Sequence, residues 1–306
     1  MKKSLIALAV LATSGAAMAQ SSVTLYGVAD LWVGKVKGSS VQMVDGGVAQ
    51  SRIGFKGTED LGGGLTASFN FEQGLNLENG ATDPRTFGRQ ANLGVSGAFG
   101  SVKLGRSTTA LDDVFGAFNS GFDSALSANA VWQNIDYTDR ADSQLYYATP
   151  EFAGFSAAAS TQLNGDRAAG AGRESSFHVK YANGPIGAAV GYEDDAAGQK
   201  GTLVAASYDL GMAKLLGSVY TTKPDAGART NSYQIGADVP LTSALTLSVG
   251  YANSKVKGAE TDSAFGVAAA YGLSKRTIVY AGFRAEKRKS ALADADVFAV
   301  GVNHSF

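Results

Sequence analysis

Cysteine is absent from the 306 residues, histidine occurs twice and proline five times. Without cysteine, neither a disulfide framework nor a thiolate metal site can form. His178 and His304 lie far apart in the chain, and no other ligands stand at the spacing that a zinc site or a His-based nucleophilic triad requires. So few prolines, beside 39 glycines, exclude both collagen and Pro-rich disorder. Long apolar runs are missing as well. The one clear run, Leu5 to Ala12, is far shorter than the roughly 20 residues that a membrane-spanning helix needs. It follows Lys2 and Lys3 and ends at Ala17-Met18-Ala19, the pattern of a secretory signal peptide, so residues 1–19 are expected to be cleaved and 20–306 to form the mature domain. An excess of positive charge is also lacking. Removing Lys2 and Lys3 leaves 24 basic against 27 acidic residues, a balance of −3 that argues against nucleic acid as a partner.

What the chain does have is alternation. Leu245, Leu247, Val249 and Tyr251 share one phase, while Thr246, Ser248, Gly250 and Ala252 share the other. The same period of two runs through Tyr233–Val239, Phe177–Tyr181, Leu65–Phe71 and the closing stretch Phe298–Phe306. Sustained alternation of this kind reads as half-buried strands. Lipid tolerates only helices and closed barrels, so an exported chain built of such strands is either a soluble β protein or a transmembrane barrel.

Turn chemistry separates these two. Compact clusters of Gly, Pro, Asn and Asp fall at residues 59–64, 97–100, 150–154, 183–187, 209–212, 239–244 and 272–276, and longer polar segments such as 78–83, 164–174, 194–200, 223–229, 256–260 and 288–294 lie between them. Short turns at one end and longer loops at the other are the asymmetry of outer-membrane barrels. Seven short turns join eight hairpins, so the expectation is an all-β, sixteen-stranded antiparallel barrel with both chain ends on the turn side. A barrel of that size leaves an aqueous channel, whereas a small one fills its own interior.

One connection differs from the rest. Residues 107–139 contain no Lys or Arg, carry Asp112, Asp113, Asp123 and Asp136, and include Phe115, Phe118, Phe122 and Trp132. A loop this long is either functional or disordered, and the aromatic residues argue against disorder. It is expected to fold into the barrel and narrow it.

Several strings carry a family resemblance. Ser22-Val23-Thr24-Leu25-Tyr26-Gly27, the run Arg52 to Gly64, Leu104-Gly105-Arg106, Tyr146 to Phe155, Leu273 to Thr277 and the terminal Asn303-His304-Ser305-Phe306 together resemble the general porins of β-proteobacteria across the whole mature chain. The resemblance implies a homotrimer of sixteen-stranded barrels in the outer membrane, each narrowed by its third external loop and passing small hydrophilic solutes and ions. It implies contact with outer-membrane lipid and lipopolysaccharide, and a terminal Phe306 read by the barrel-assembly machinery. It also implies a constriction wall at Arg52, Arg89 and Arg140, with Glu72 on the neighbouring strand. Alternation puts Arg52, Glu72 and Arg140 on the inward face, whereas Arg89 falls in phase with Leu93 and Val95; either a bulge near Gly88 turns it inward or Gln90 takes the inward place. Asp30, Lys56, Lys103, Tyr146 and Arg284 are secondary candidates for the lumen, and Arg106, out of phase with Lys103, reads as structural or as the start of the loop.

Two readings of these charges stand together: a transverse field between wall and loop aspartates that selects ions, or ion pairs that anchor the loop. Arginine-dominated members of the family prefer anions, but the acidic loop opposes that sign and leaves it open. Catalysis has little support. Asp112-Asp113 and Asp194-Asp195 lie in loops, where carboxylates are ordinary turn residues, and no glycine string fits a nucleotide motif; no enzyme activity, metal or cofactor is expected. A substrate-specific channel would need an aromatic track or dense ligand cluster along the lumen, and a structural or adhesive barrel would need a plug or large loops. A general diffusion channel fits better than either.

Overall fold

The computed structural model describes residues 22–133, 135, 137–163, 172–289 and 293–306. The expected signal peptide at 1–19 and Asp136 lie outside the described residues. The strands are β1 (Ser22–Val36), β2 (Val41–Asp45), β3 (Arg52–Gly62), β4 (Leu65–Gly74), β5 (Gln90–Gly97), β6 (Gly100–Thr108), β7 (Arg140–Ala148), β8 (Phe155–Gln162) and β9 (Ser175–Asn183). They continue as β10 (Ile186–Asp194), β11 (Gln199–Asp209), β12 (Lys214–Pro224), β13 (Thr230–Pro240), β14 (Leu245–Val256), β15 (Thr261–Gly272), β16 (Thr277–Lys287) and β17 (Val297–Ser305).

Apart from β2 and β3, strands consecutive in sequence pair antiparallel, and β17 returns to β1. β2 and β3 both pair with β1 on its other edge, β2 opposite Leu31–Lys35 and β3 opposite Ser22–Val28. They are two halves of one interrupted strand, so seventeen segments make a closed barrel of sixteen strands. Closure removes every free sheet edge. It is completed by Phe306, whose N–H donates to Gly27 O while Gly27 N–H donates to Phe306 O, both at 3.1 Å.

Alternation decides what faces outward. Val190, Val204, Tyr233, Ile235, Tyr251, Phe265, Phe283 and Val300 are exposed on the outside, whereas their neighbours Ala189, Leu203, Ala205, Ala252, Ala264 and Ala299 are buried inside. An apolar outer belt over a small and polar inner face is the lipid-facing arrangement. Among the described residues, no helix is long and apolar enough to cross a membrane.

All seven short turns fall where turn chemistry puts them, and Gly62, Gly63 and Gly64 all take positive φ at the first, a conformation open to glycine. The length contrast with the other end is weaker than the sequence suggests. The connections at 37–40, 195–198 and 257–260 have four residues each, because the flanking strands run further than alternation marks. The asymmetry rests mainly on residues 75–89, 109–139, 163–174 and 288–296.

The segment between β6 and β7 lies against the inner wall. It holds one short helix, α1 (Asp112–Phe115), and two 3-10 turns at Gly121–Asp123 and Ala128–Val131. Leu111, Val114, Phe115, Phe118, Val131 and Trp132 pack with Ala189, Leu203, Ala205, Tyr220, Ala252 and Ala264 of β10–β15 in one buried cluster. Small wall residues make room: Gly236 and Gly250 receive Ser120, and Gly191 receives Leu111. Polar wall groups hold the backbone, with Ser248 Oγ accepting from Gly121 N–H at 2.7 Å and Gln234 Nε2 donating to Phe118 O at 2.7 Å.

Candidate functional site

Glu72, near the end of β4, is buried at 7 % exposure and gathers three partners. Arg89 Nε donates to Oε1 at 2.7 Å, Arg52 Nε lies 3.4 Å from Oε2, and the Tyr26 hydroxyl donates to Oε2 at 2.9 Å. One carboxylate on β4 therefore sits between the guanidiniums of Arg52 on β3 and of Arg89 just ahead of β5, the second held by a charge-assisted hydrogen bond. Arg52 is also close enough to Arg89 and Arg140 to feel the charge of both.

Arg89 and Gln90 share the inward side. Regular pairing of β5 begins at Gln90 opposite Glu72, without a bulge, so Gln90 takes the inward phase with Asn92. Arg89 stands one residue outside the ladder, where alternation no longer governs it, and its guanidinium also donates to Gln50 Oε1.

Arg140 reaches the site by a different route from the one alternation gives. A bulge opposite Gly105–Ser107 leaves Ser143 at φ +47° and shifts the phase of β7 by one residue, so Ala141 rather than Asp142 pairs with the buried Ser107 and Arg140 falls opposite Thr108. Arg140 pairs with Asp139 and acts electrostatically on Asp112.

The three loop aspartates separate. Asp112 accepts from the Tyr137 hydroxyl at 2.9 Å, and burial pushes its carboxyl up to about 6, partly opposed by Tyr137 and Arg140. Asp113 accepts from the Tyr146 hydroxyl, whose ring lies under Lys103 Nζ at 3.8 Å. Asp123 accepts from Asn119 Nδ2 at 2.7 Å within its own loop and is not brought against the arginines.

The secondary candidates divide. Lys56 lies over the Tyr26 ring at 5.0 Å, and with Lys103, Asn70, Gln90 and Asn92 it lines a recess of about 450 Å³ on the inner wall. Asp30 is not a lumen-lining residue: it is fully buried beneath residues 46–51, because five donors converge on its carboxylate. Arg284 is buried behind the loop tip, where it donates to Ala125 O and pairs with Glu286 at 2.9 Å. Arg106 is structural, pairing with Asp142 at 2.7 Å beside Arg85. His178 donates to Ala110 O at 2.6 Å and pins the start of the loop. Gln50 and Asp139 gave no signal in sequence, since both lie where no alternation exists. The contact of Tyr26 with Glu72 appears only in the fold.

Residues 4–291 match the sequence profile of the Gram-negative porins. The chain belongs to that family. Outer membrane porin protein 32 of Delftia acidovorans is 36 % identical over 99 % of this chain and 95 % of its own length. Among solved structures, an anion-selective porin from Comamonas acidovorans superposes with a TM-score of 0.84 at 28 % identity, covering 94 % of this chain and all of its own. OmpT of Vibrio cholerae, in trimer form, superposes at 0.74 with 17 % identity over 94 % of this chain and 99 % of its own, a likeness of fold alone. This porin is thus an outer-membrane diffusion channel, and its closed barrel with an apolar belt is the structure such a channel requires.

Proposed function

We propose that this porin passes small hydrophilic solutes and ions through a constriction whose wall is Arg52, Glu72, Arg89 and Arg140 and whose facing loop carries Asp112, Asp113 and Asp123. The observation that carries the reading is the Glu72 carboxylate held between Arg52 and Arg89 on the inner wall of a closed barrel. Pore width and charged side chains set what passes, and low-dielectric walls strengthen the field between them. The expected preference is for anions. Glu72 offsets only one of its two guanidiniums, and Lys56 and Lys103 extend the positive wall. The anion-selective Comamonas structure is consistent with that sign.

The same reading takes residues 1–19 as a cleaved signal and 20–306 as one barrel domain. It places lipid and lipopolysaccharide around the belt and assigns Phe306 to recognition by the assembly machinery. Assembly as a homotrimer is supported by the trimeric OmpT fold. The test is single-channel recording of the purified protein in a planar bilayer under a KCl gradient. Ohmic steps in threes with an anion-directed reversal potential support the proposal. A cation-directed potential overturns the assigned sign, and a folded protein that conducts nothing overturns the channel.

A further inference from the structure

The strand made of β2 and β3 carries more chain than its partner requires. Leu31 faces Asp45 and Val28 faces Arg52, so three steps along β1 are matched by seven on the other side, four in excess. The six residues 46–51 that contain this surplus fold inward instead of bulging toward lipid. Gly47 lies against Tyr280 and Trp32, and Val48 packs against the buried cluster that joins wall residues such as Trp32 and Tyr280 to Leu126 of the inward loop.

Asp30 organises this tongue. Its carboxylate accepts from the N–H groups of Gly47, Val48 and Ala49 at 3.0, 3.0 and 2.9 Å, from the Tyr280 hydroxyl at 2.6 Å and from Asn303 Nδ2 at 2.8 Å. Its backbone completes the frame: Gly46 N–H donates to Asp30 O at 3.0 Å, and Asp30 N–H donates to Ser51 Oγ at 2.9 Å. Successive N–H groups converging in this way form an anion-binding concavity, filled here by the protein's own side chain.

The two ends of the tongue touch the two sides of the channel. Gly47 O accepts from Ala125 N–H at 2.9 Å at the tip of the inward loop. At the other end, Gln50 Oε1 accepts from Arg89, and Gln50 O accepts from Arg52 Nη1 at 3.0 Å. We infer that residues 46–51 form a second element of the constriction, and that Asp30 is the positioning residue that fixes Gln50 against Arg52 and Arg89. The inference rests on the channel reading above.

Three variants test it in planar bilayers beside the wild type. Excising residues 47–50 removes the four surplus residues and lets β2 run into β3 in register. It is expected to raise single-channel conductance by roughly a quarter to a half, since pore width governs flux, and to shift the reversal potential. Asp30→Asn, which turns an amide toward the N–H donors, is expected to act in the same direction. Gln50→Ala, at an exposed side chain, is expected to fold normally and shift the reversal potential alone, a readout that a merely structural tongue does not move. Wild-type conductance and reversal potential in the folded excision variant overturn the inference. So does an unchanged reversal potential in Gln50→Ala, whichever of the other two fails to fold. A wild type that conducts nothing overturns the channel reading instead.

Discussion

A single carboxylate, Glu72 on β4, restrains two arginines that would otherwise repel each other from its two sides. Replacing it by glutamine keeps the shape and removes the charge. A unit charge about 8 Å from a passing ion acts in water with about 0.5 kcal/mol, of opposite sign for anion and cation, so Glu72→Gln is expected to raise the anion-to-cation permeability ratio roughly fivefold, read from the reversal potential. Asp112 gives the constriction a pH response. With its carboxyl raised to about 6, it is charged above that pH and neutral below it. Anion preference is therefore expected to rise as the pH falls from 7.5 to 5, and Asp112→Asn is expected to flatten that profile. Alternation made Arg52 and Glu72 legible because both stand inside regular ladders. It failed for Arg140, where the bulge at Ser143 resets the phase, and it had no purchase on Arg89 or Gln50, which lie just outside the paired strands.

Strands and short turns could be read from the sequence because each is a local pattern. The seat of the inward loop could not. Gly191, Gly236, Gly250 and Gly282 look like any small inner-face residues, and only the register of β10–β16 places them under Leu111, Ser120 and Leu126. Gly250→Val is expected to lift the loop tip at Ser120, seen as frequent sub-conductance steps and faster protease cleavage within 107–139. Leu126, 1 % exposed against Gly282, is the apolar anchor of the tip. Its truncation to alanine is expected to cost about 2–4 kcal/mol of packing and to lower the melting temperature of the detergent-solubilised protein. Near the other end of the loop's path, burial, with Asp195 adding to it, pushes the Glu174 carboxyl up to about 7. The folded chain then holds a proton that the unfolded chain releases between pH 4.5 and 7, so stability falls as the pH rises through that window. Glu174→Gln is expected to match wild type at pH 4 and to exceed it at pH 8, by up to about 3 kcal/mol at about 1.4 kcal/mol per pH unit.

Closure is a property of the molecule as a whole. Sixteen strands could be counted from the turns, but nothing local in the sequence says that β17 must meet β1. The two hydrogen bonds between Phe306 and Gly27 are the last in that seam. Deleting Phe306 is expected to remove most of the heat-modifiable folded barrel from the outer-membrane fraction, with the unfolded form accumulating in its place.

The interruption between β2 and β3 also bears on how such a chain can change length. An even surplus returns the strand to its original parity: Met43 before the break and Phe55 after it both remain on the exposed apolar face. An odd surplus inverts every later side chain, sending charge into lipid and apolar groups into water. The single-residue surpluses here, at Asp60–Gly62 and opposite Gly105–Ser107, lie within three or four residues of a strand end, where little remains to invert. Insertions and deletions in the body of a strand should therefore be tolerated in twos and fours, whereas connections can lengthen by any number. A library of one- to four-residue deletions through 46–51 makes that parity measurable, as folded yield that alternates with the number removed.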